Sequence, residues 1–379
     1  MELILICVMI SIQAGDFCLG AVMMEGVHNT GAQEKGVQDG ELLNLGARNP
    51  AAQDLAQAGA FIKWVDFSIS YEALCRAYEL DVNTHGTECE LSWIELLAYT
   101  AARTGGKFDK KALRMMDAAS DELISGEKTM AELTEKLDYY GYYYEAYQAA
   151  LGGLVGEYEA DGELKYGLKG YFPLARGFDY SHYDDFGAGR SYGYQRKHLG
   201  HDMMGLIGTP IIAVESGTVE ALGWNQYGGW RIGIRSFDRK RYYYYAHLRQ
   251  NYPFAEGLEE GCVVTAGDVI GYMGHTGYST KENVNNIKVT HLHWGLQLIF
   301  DESQKECDNE IWIDVYPLTR FLAKHTQPVE KVAGTKEWKR TTEIVDPGVE
   351  EYIKQQSQGT IRNMGDDNEN EKENYTKRS

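Results

Sequence analysis

The spacing of apolar residues changes twice along this chain, and each change marks a boundary. From Leu3 to Ile12 the run is apolar apart from Ser11. It is too short to span a bilayer and has the length of the central part of a secretory signal, although no basic residue precedes it. Residues 1–21 are therefore a candidate export signal. Residues 22–58 are rich in Gly, Ala, Gln and Asn and read as a linker that cannot bury enough apolar surface to fold alone. Residues 59–158 then carry a helical pattern. Phe61, Val65, Ile69, Leu74 and Tyr78 recur near a 3.6 period, predicting a helix from Phe61 to Leu80. Ser92–Glu95 and Thr129–Glu132 match the capping box, opening helices over Trp93–Arg103 and Met130–Leu137. Gly105-Gly106 stops the first of these, Asp109 caps another over Lys110–Leu123, and a tyrosine-rich helix runs from Tyr139 toward Gly152.

From residue 166 the pattern shortens to β-branched and aromatic runs separated by glycines. Pro210–Glu215, Thr218–Leu222, Trp230–Arg235, Arg241–His247, Val269–Tyr272 and His293–Phe300 are the clearest. Short strands with glycine turns at this spacing predict an antiparallel all-β domain over 166–325. No long helical period interrupts residues 205–300, which disfavours a parallel α/β sheet. A closing loop and short helix are expected within 301–324. Residues 330–379 turn polar and charged and are expected to be a disordered tail. The fold class is α+β, an N-terminal helical domain followed by the antiparallel domain, with no internal repeat.

Composition narrows the partners more than the fold. The chain has 379 residues, 43% of them apolar, and a net charge of −19. Such acidity excludes non-specific nucleic-acid binding, which depends on Lys and Arg neutralising phosphates. No CxxC pair occurs among Cys75, Cys89, Cys262 and Cys307, so a cysteine zinc site is not expected. The Cys75–Cys89 pair reads as packed free thiols rather than a bridge.

The candidate chemistry lies in the histidines. His198 and Asp202 stand four apart with Gly200 between them, so a turn can bring both side chains to one point. His291 and His293 stand two apart and share one face of a strand. By the same alternation His247 is placed on a face with Tyr243 and Tyr245. Imidazoles with one carboxylate form the ligand set of a catalytic zinc, which keeps one position open for water. A His/Asp/His set would leave two histidines without ligand duty. His28, His85, His182, His201, His275 and His325 have no partner spacing and are assigned structural or surface roles, with His201 the nearest competitor because it adjoins Asp202.

The order of these elements adds a resemblance. His198-Leu-Gly-His-Asp202, Gly208-Thr-Pro210, Gly217-Thr-Val219, Tyr227-Gly-Gly229, Tyr245-Ala-His-Leu248, Gly267-Asp-Val-Ile-Gly271, Gly274-His-Thr-Gly277 and His291-Leu-His-Trp294 occur in that sequence. Over residues 190–302, under a third of the chain, this series resembles the LytM/lysostaphin-type zinc endopeptidases that cut peptidoglycan cross-links. The resemblance implies a groove over the β sheet, Zn2+ held by His198, Asp202 and His293, and His247 with His291 acting on the water and the tetrahedral intermediate. It also places Tyr192 where some relatives have a tyrosine that steadies the intermediate. Stem or bridge peptides of peptidoglycan would be the substrate, and the protein would be exported to the bacterial envelope or beyond. The helical domain would position, inhibit or bind an envelope partner; oligomeric state is not readable. Two alternatives stand beside this one: a catalytically silent scaffold that binds wall or a partner hydrolase, and a zinc peptidase directed at proteins.

Overall fold

The computed structural model of the chain describes residues 61–192, 194–305 and 310–358. The candidate signal (1–21), the linker (22–58) and the last residues of the tail lie outside them. Helix α1 spans Tyr71–Thr84, α2 Trp93–Thr104, α3 Lys110–Ile124, α4 Met130–Thr134 and α5 Tyr140–Leu151. The first begins ten residues later than the apolar period predicts. Val65, Phe67 and Ile69 are buried at alternate positions instead, an extended-chain period, and Ser70 then caps α1 by accepting from the Ala73 N–H at 3.2 Å. Phe61, Val65 and Ile69 fit either period, so their spacing alone could not choose. Thr129 and Glu132 form both bonds of the capping box. Ser92 makes its own bond to the Glu95 N–H at 3.4 Å, while Asp81 takes the Trp93 N–H at 2.9 Å. Gly105, at φ 65°, ends α2 in the left-handed region.

Strands follow from Val155, inside the stretch expected to be helical. They are β1 (Val155–Ala160), β2 (Glu163–Leu168), β3 (Tyr180–His182), β4 (Gly189–Tyr192), β5 (Tyr194–Lys197) and β6 (His201–Gly205). Next come β7 (Pro210–Ile212), β8 (Gly217–Asn225), β9 (Gly229–Ser236), β10 (Arg241–Ala246), β11 (Val263–Val264), β12 (Val269–Tyr272), β13 (His291–Leu298) and β14 (Ile311–Ile313). Helix α6 (Tyr316–Leu322) supplies the short helix expected within 301–324. The central sheet has the order β11-β8-β9-β10-β13-β6-β3, with β14 added beside β13. Every pairing in it is antiparallel.

The tail expected from residue 330 does not lose structure there. Strands β15 (Val329–Lys331) and β16 (Trp338–Arg340) pair with each other, and β17 (Ile344–Val345) extends the β1–β2 hairpin. Asp346 anchors this return by accepting from Ser216 Oγ at 2.6 Å and pairing with Lys169 at 3.0 Å. Sparse apolar residues such as Ile344 (buried) and Trp338 suffice because they dock on an existing core. Cys75, Cys89 and Cys262 are free thiols. No helix among the described residues is long and apolar enough to cross a membrane.

Helices and sheet share one buried cluster, which runs from Ile62, Leu96 and Leu97 through Trp294 and Leu296 to Phe321. The polar link between them is Arg241 on β10. Its guanidinium donates to Glu215 Oε2 at 2.7 Å, to Asp238 Oδ2 at 2.9 Å and to the Ala149 carbonyl at the end of α5 at 2.8 Å. Burial alone would make its proton easier to lose, but the Glu215 carboxylate holds it well above the ordinary arginine range. Removing one partner of such a buried pair leaves an uncompensated charge, at a cost of about 3–5 kcal/mol. Arg241→Met is expected to lose that much in urea unfolding. A loss below ~1 kcal/mol would show that the pair does not tie the helices to the sheet.

Candidate metal and catalytic site

The register of two neighbouring strands builds the centre of the site. In the β13–β6 ladder His293 stands opposite Asp202, and cross-strand partners share a face. Met203, Leu292 and Trp294 occupy the other face and are fully buried in the core. His198 enters from the turn before β6 and is itself buried. A side chain at Gly200 would put its Cβ 2.5 Å from the His293 ring and 3.0 Å from the Trp294 carbonyl, so this close approach requires glycine.

Three donor atoms converge: His198 Nε2, Asp202 Oδ1 and His293 Nδ1 lie 3.0 Å from one another in all three pairs. Neighbouring ligands of a tetrahedral zinc with bonds of ~2.0–2.1 Å are about 3.3 Å apart, so the triangle fits that ion. The donor chemistry fits as well. His198 Nδ1 lies 3.2 Å from the Asp185 carbonyl, which places the proton on Nδ1 and leaves the Nε2 lone pair for the centre. The Asp185 carboxylate is also 3.2 Å from that nitrogen, but it is the carbonyl that has hydrogen-bond geometry. Arg190 on β4 spans the carboxylates of Asp185 and Asp202, reaching Asp202 Oδ2 at 3.2 Å. Burial would raise the Asp202 carboxyl, yet the imidazoles of His198 and His293 hold it well below the usual carboxylate range.

His247 reaches the same face by breaking the strand alternation. Partners of His293 and Gly295 across β10 are Ala246 and Tyr244, so Tyr243 and Tyr245 face the core, and both are fully buried. Alternation would send His247 there with them, as expected from the sequence. Instead β10 ends at Ala246 and His247 adopts a left-handed φ of 64°, which turns its ring toward the site. It is held there by its N–H donating to the Gly228 carbonyl at 2.7 Å and by Nδ1 at 3.0 Å from the Thr276 carbonyl. The ring centroid lies 4.7 Å from that of His291 and 5.8 Å from that of His293. Desolvation, then the neighbouring imidazoles of His291 and His293, push His247 well below the ordinary histidine range. His291 Nδ1 lies 2.8 Å from the Val289 carbonyl, and its Nε2 lies 3.6 Å from Asp202 Oδ1.

Two of the framework glycines are required by close approaches within the chain. Gly229, at φ 66°, has Thr276 and Gly277 backbone atoms 2.4–2.6 Å from where a Cβ would sit. The loop that fixes His247 is thereby pressed onto β9. Gly295 does lie beside the histidines, but Trp312 and the Leu199 carbonyl fill the space. Tyr192 ends β4, paired with Tyr194; its side chain lies outside the described part of the structure. His201, the competing ligand, points to the opposite face and pairs with His182 Nδ1 at 2.8 Å. His275 bonds the Ile287 carbonyl at 2.8 Å and His325 the Gly170 carbonyl at 3.1 Å. Asp185, Arg190, Tyr244 and Thr276 carry parts of the site that no spacing signalled.

The sequence model for peptidase family M23 matches residues 196–306. The chain is 40% identical over 125 residues to the L-Ala–D-Glu endopeptidase of Bacillus subtilis (strain 168), covering 33% of this chain and 37% of that protein. It is 37% identical over 89 residues to lysostaphin of Staphylococcus simulans, covering 23% of this chain and 17% of that one. The solved catalytic domain of that lysostaphin is 29% identical, covering 37% of this chain and 92% of the domain, with a TM-score of 0.29. The chain thus spans little more than a third of the Bacillus protein it matches.

Proposed function

We propose, from the premise that the β domain belongs to the LytM/lysostaphin type of peptidase family M23, that this chain is a zinc-dependent endopeptidase hydrolysing the peptides of bacterial peptidoglycan. The observation that carries the reading is the 3.0 Å triangle of His198, Asp202 and His293 donors with two further histidines on the same face. His198 Nε2, Asp202 Oδ1 and His293 Nδ1 would hold Zn2+. Bound there, the ion would supply Lewis acidity toward the scissile carbonyl and a water acidified toward neutral pH.

The remaining work falls to the protein. His247 and His291 each commit Nδ1 to a backbone carbonyl, of Thr276 and Val289. Each therefore presents Nε2 with its lone pair free. One accepts the proton of the attacking water and returns it to the leaving amine, while the other steadies charge on the tetrahedral intermediate. Arg190 and Asp185 fix the orientation of Asp202 and His198, as outer partners of a metal ligand do. Action on wall peptides would put the working protein outside the cytoplasm, in the envelope or beyond.

The test is digestion of purified peptidoglycan by the zinc-loaded chain, with product masses read by mass spectrometry. Soluble muropeptides carrying new amino termini are expected. A zinc-loaded protein that binds wall and releases none would move the reading to a silent scaffold, and cleavage of proteins alone would move it to a protein-directed peptidase.

A further inference from the structure

Among the described residues three arginines, Arg190, Arg196 and Arg231, approach the candidate site, and one of them pairs with carboxylates. Arg190 is shared between Asp185 and Asp202. Arg196, its cross-strand partner on β5, and Arg231 on β9 have no carboxylate within ion-pair distance among the described residues. Arg196 donates to the Tyr278 hydroxyl and lies over the rings of Tyr227 and Tyr278 at 5.8 and 5.3 Å. Its Nε is buried without a hydrogen-bond partner, and so is Arg231 Nη1. Half-buried guanidiniums left this way cost stability. The chain has 56 acidic residues against 37 basic ones, so a partner carboxylate is the commonest thing it could have placed there.

Arg231 belongs to the face that carries the histidines, and Arg196 approaches it from the β4–β5 hairpin. Arg231 stands opposite Gly223 on β8. The β9–β10 ladder, continued one step past Tyr245↔Ile232, sets Arg231 beside Ala246, which in turn stands opposite His293. Partners in register share a face, and strands are ~4.8 Å apart. Arg231 thus starts about 10 Å from the strand of His293, roughly three residues of extended peptide, and its own side chain shortens that reach. Arg196 comes from the other wall through Tyr278, whose ring lies 6.0 Å from that of His247. Between them stands Tyr244, 6.0 Å from the His293 ring. Burial raises the Tyr244 hydroxyl, and both guanidiniums act on it in the opposite sense.

We propose that Arg196 and Arg231 form a carboxylate subsite, so that the substrate is an acidic stem peptide with a free carboxylate within a residue or two of the scissile bond, rather than a neutral glycine bridge. Two guanidiniums without a carboxylate in ion-pair range among the described residues favour an anion there, while the acidic remainder of the protein repels it. Arginine suits a planar carboxylate through its paired N–H groups. The proposal deepens the peptidase reading and rests on it.

Two peptides that differ in one group test it: L-Ala–γ-D-Glu–L-Lys–D-Ala, and its D-isoglutamine counterpart in which the free carboxylate is a carboxamide. The zinc-loaded full chain is expected to cleave the acid with kcat/KM roughly ten- to a hundredfold above the amide, the range of a charged hydrogen bond. That ratio, which cancels any loss common to both peptides, should fall severalfold in Arg231→Gln and in Arg196→Gln, with zinc content as the check on folding. In the wild-type protein it should also shrink as salt is raised. Calorimetric affinities of the metal-free protein for the two peptides should show the same preference without turnover. Equal cleavage or equal affinity of acid and amide by the wild type overturns the subsite, as does faster cleavage of pentaglycine. A ratio unchanged in both folded variants does so too. Failure to cleave either peptide, pentaglycine or purified wall sinks the peptidase reading instead, and the affinity comparison still decides the subsite.

Discussion

His293→Ala is expected to purify without zinc and without activity. Its Nδ1 is one of three donors lying 3.0 Å apart, and the two that remain cannot complete a tetrahedral site with one open position. Removing even an outer partner of a metal ligand costs about 10–100-fold in affinity, so loss of a ligand should exceed ~100-fold. The ring is not a structural prop, because the core face of β13 is built by Leu292, Trp294 and Leu296. Far-UV circular dichroism should therefore be unchanged. His201→Ala is the matching control, since His201 adjoins Asp202 in sequence yet pairs with His182 on the opposite face. Competition with a chromogenic chelator measures both. Full zinc occupancy in His293→Ala, or loss of zinc in His201→Ala, would refute the ligand assignment.

How far the sequence could be read follows from which interactions are local. Capping residues and glycine turns act within a few positions, so the starts of α2, α3 and α4 and the strands β8, β9, β10 and β13 of the central sheet were legible from Ser92, Asp109, Thr129 and the β-branched runs between glycines, while α4 stops at Thr134, short of the expected Leu137. The His-x-His pair was legible for the same reason, because alternation along β13 needs only its neighbours. What failed depended on contacts distant in sequence. Residues 61–70 are extended because their backbone meets Gln304, whose Nε2 donates to the Ile62 carbonyl at 2.7 Å. Strands β15 to β17 form on surfaces that a polar stretch does not advertise. Asp185 meets His198 across the β4–β5 hairpin, and no short motif records that approach. The orientation of His247 was misread because its left-handed φ is imposed by the Gly228 and Thr276 loops, while alternation assumes an unbroken strand.

That same distortion sets up the second large effect. His247→Ala should keep zinc and lose turnover by about 10²–10⁴-fold, the usual contribution of a positioned proton-transfer group. None of its atoms belongs to the donor triangle, so metal content should match wild type, which separates this variant from His293→Ala. A non-glycine residue at φ 64° is disfavoured by the order of 1 kcal/mol or more. Alanine inherits that cost while losing the Thr276 bond, so a modest drop in Tm should accompany the loss of rate. His291→Ala should likewise retain zinc and lose turnover, because its Nε2 faces Asp202 without being one of the three converging donors. If one histidine moves the proton and the other steadies charge on the same transition state, the double variant should be little worse than the poorer single one, since groups acting as a unit are far from additive. Multiplicative losses would instead mean that the two act in separate steps. Near-normal turnover in either single variant would leave the proton to the other histidine alone.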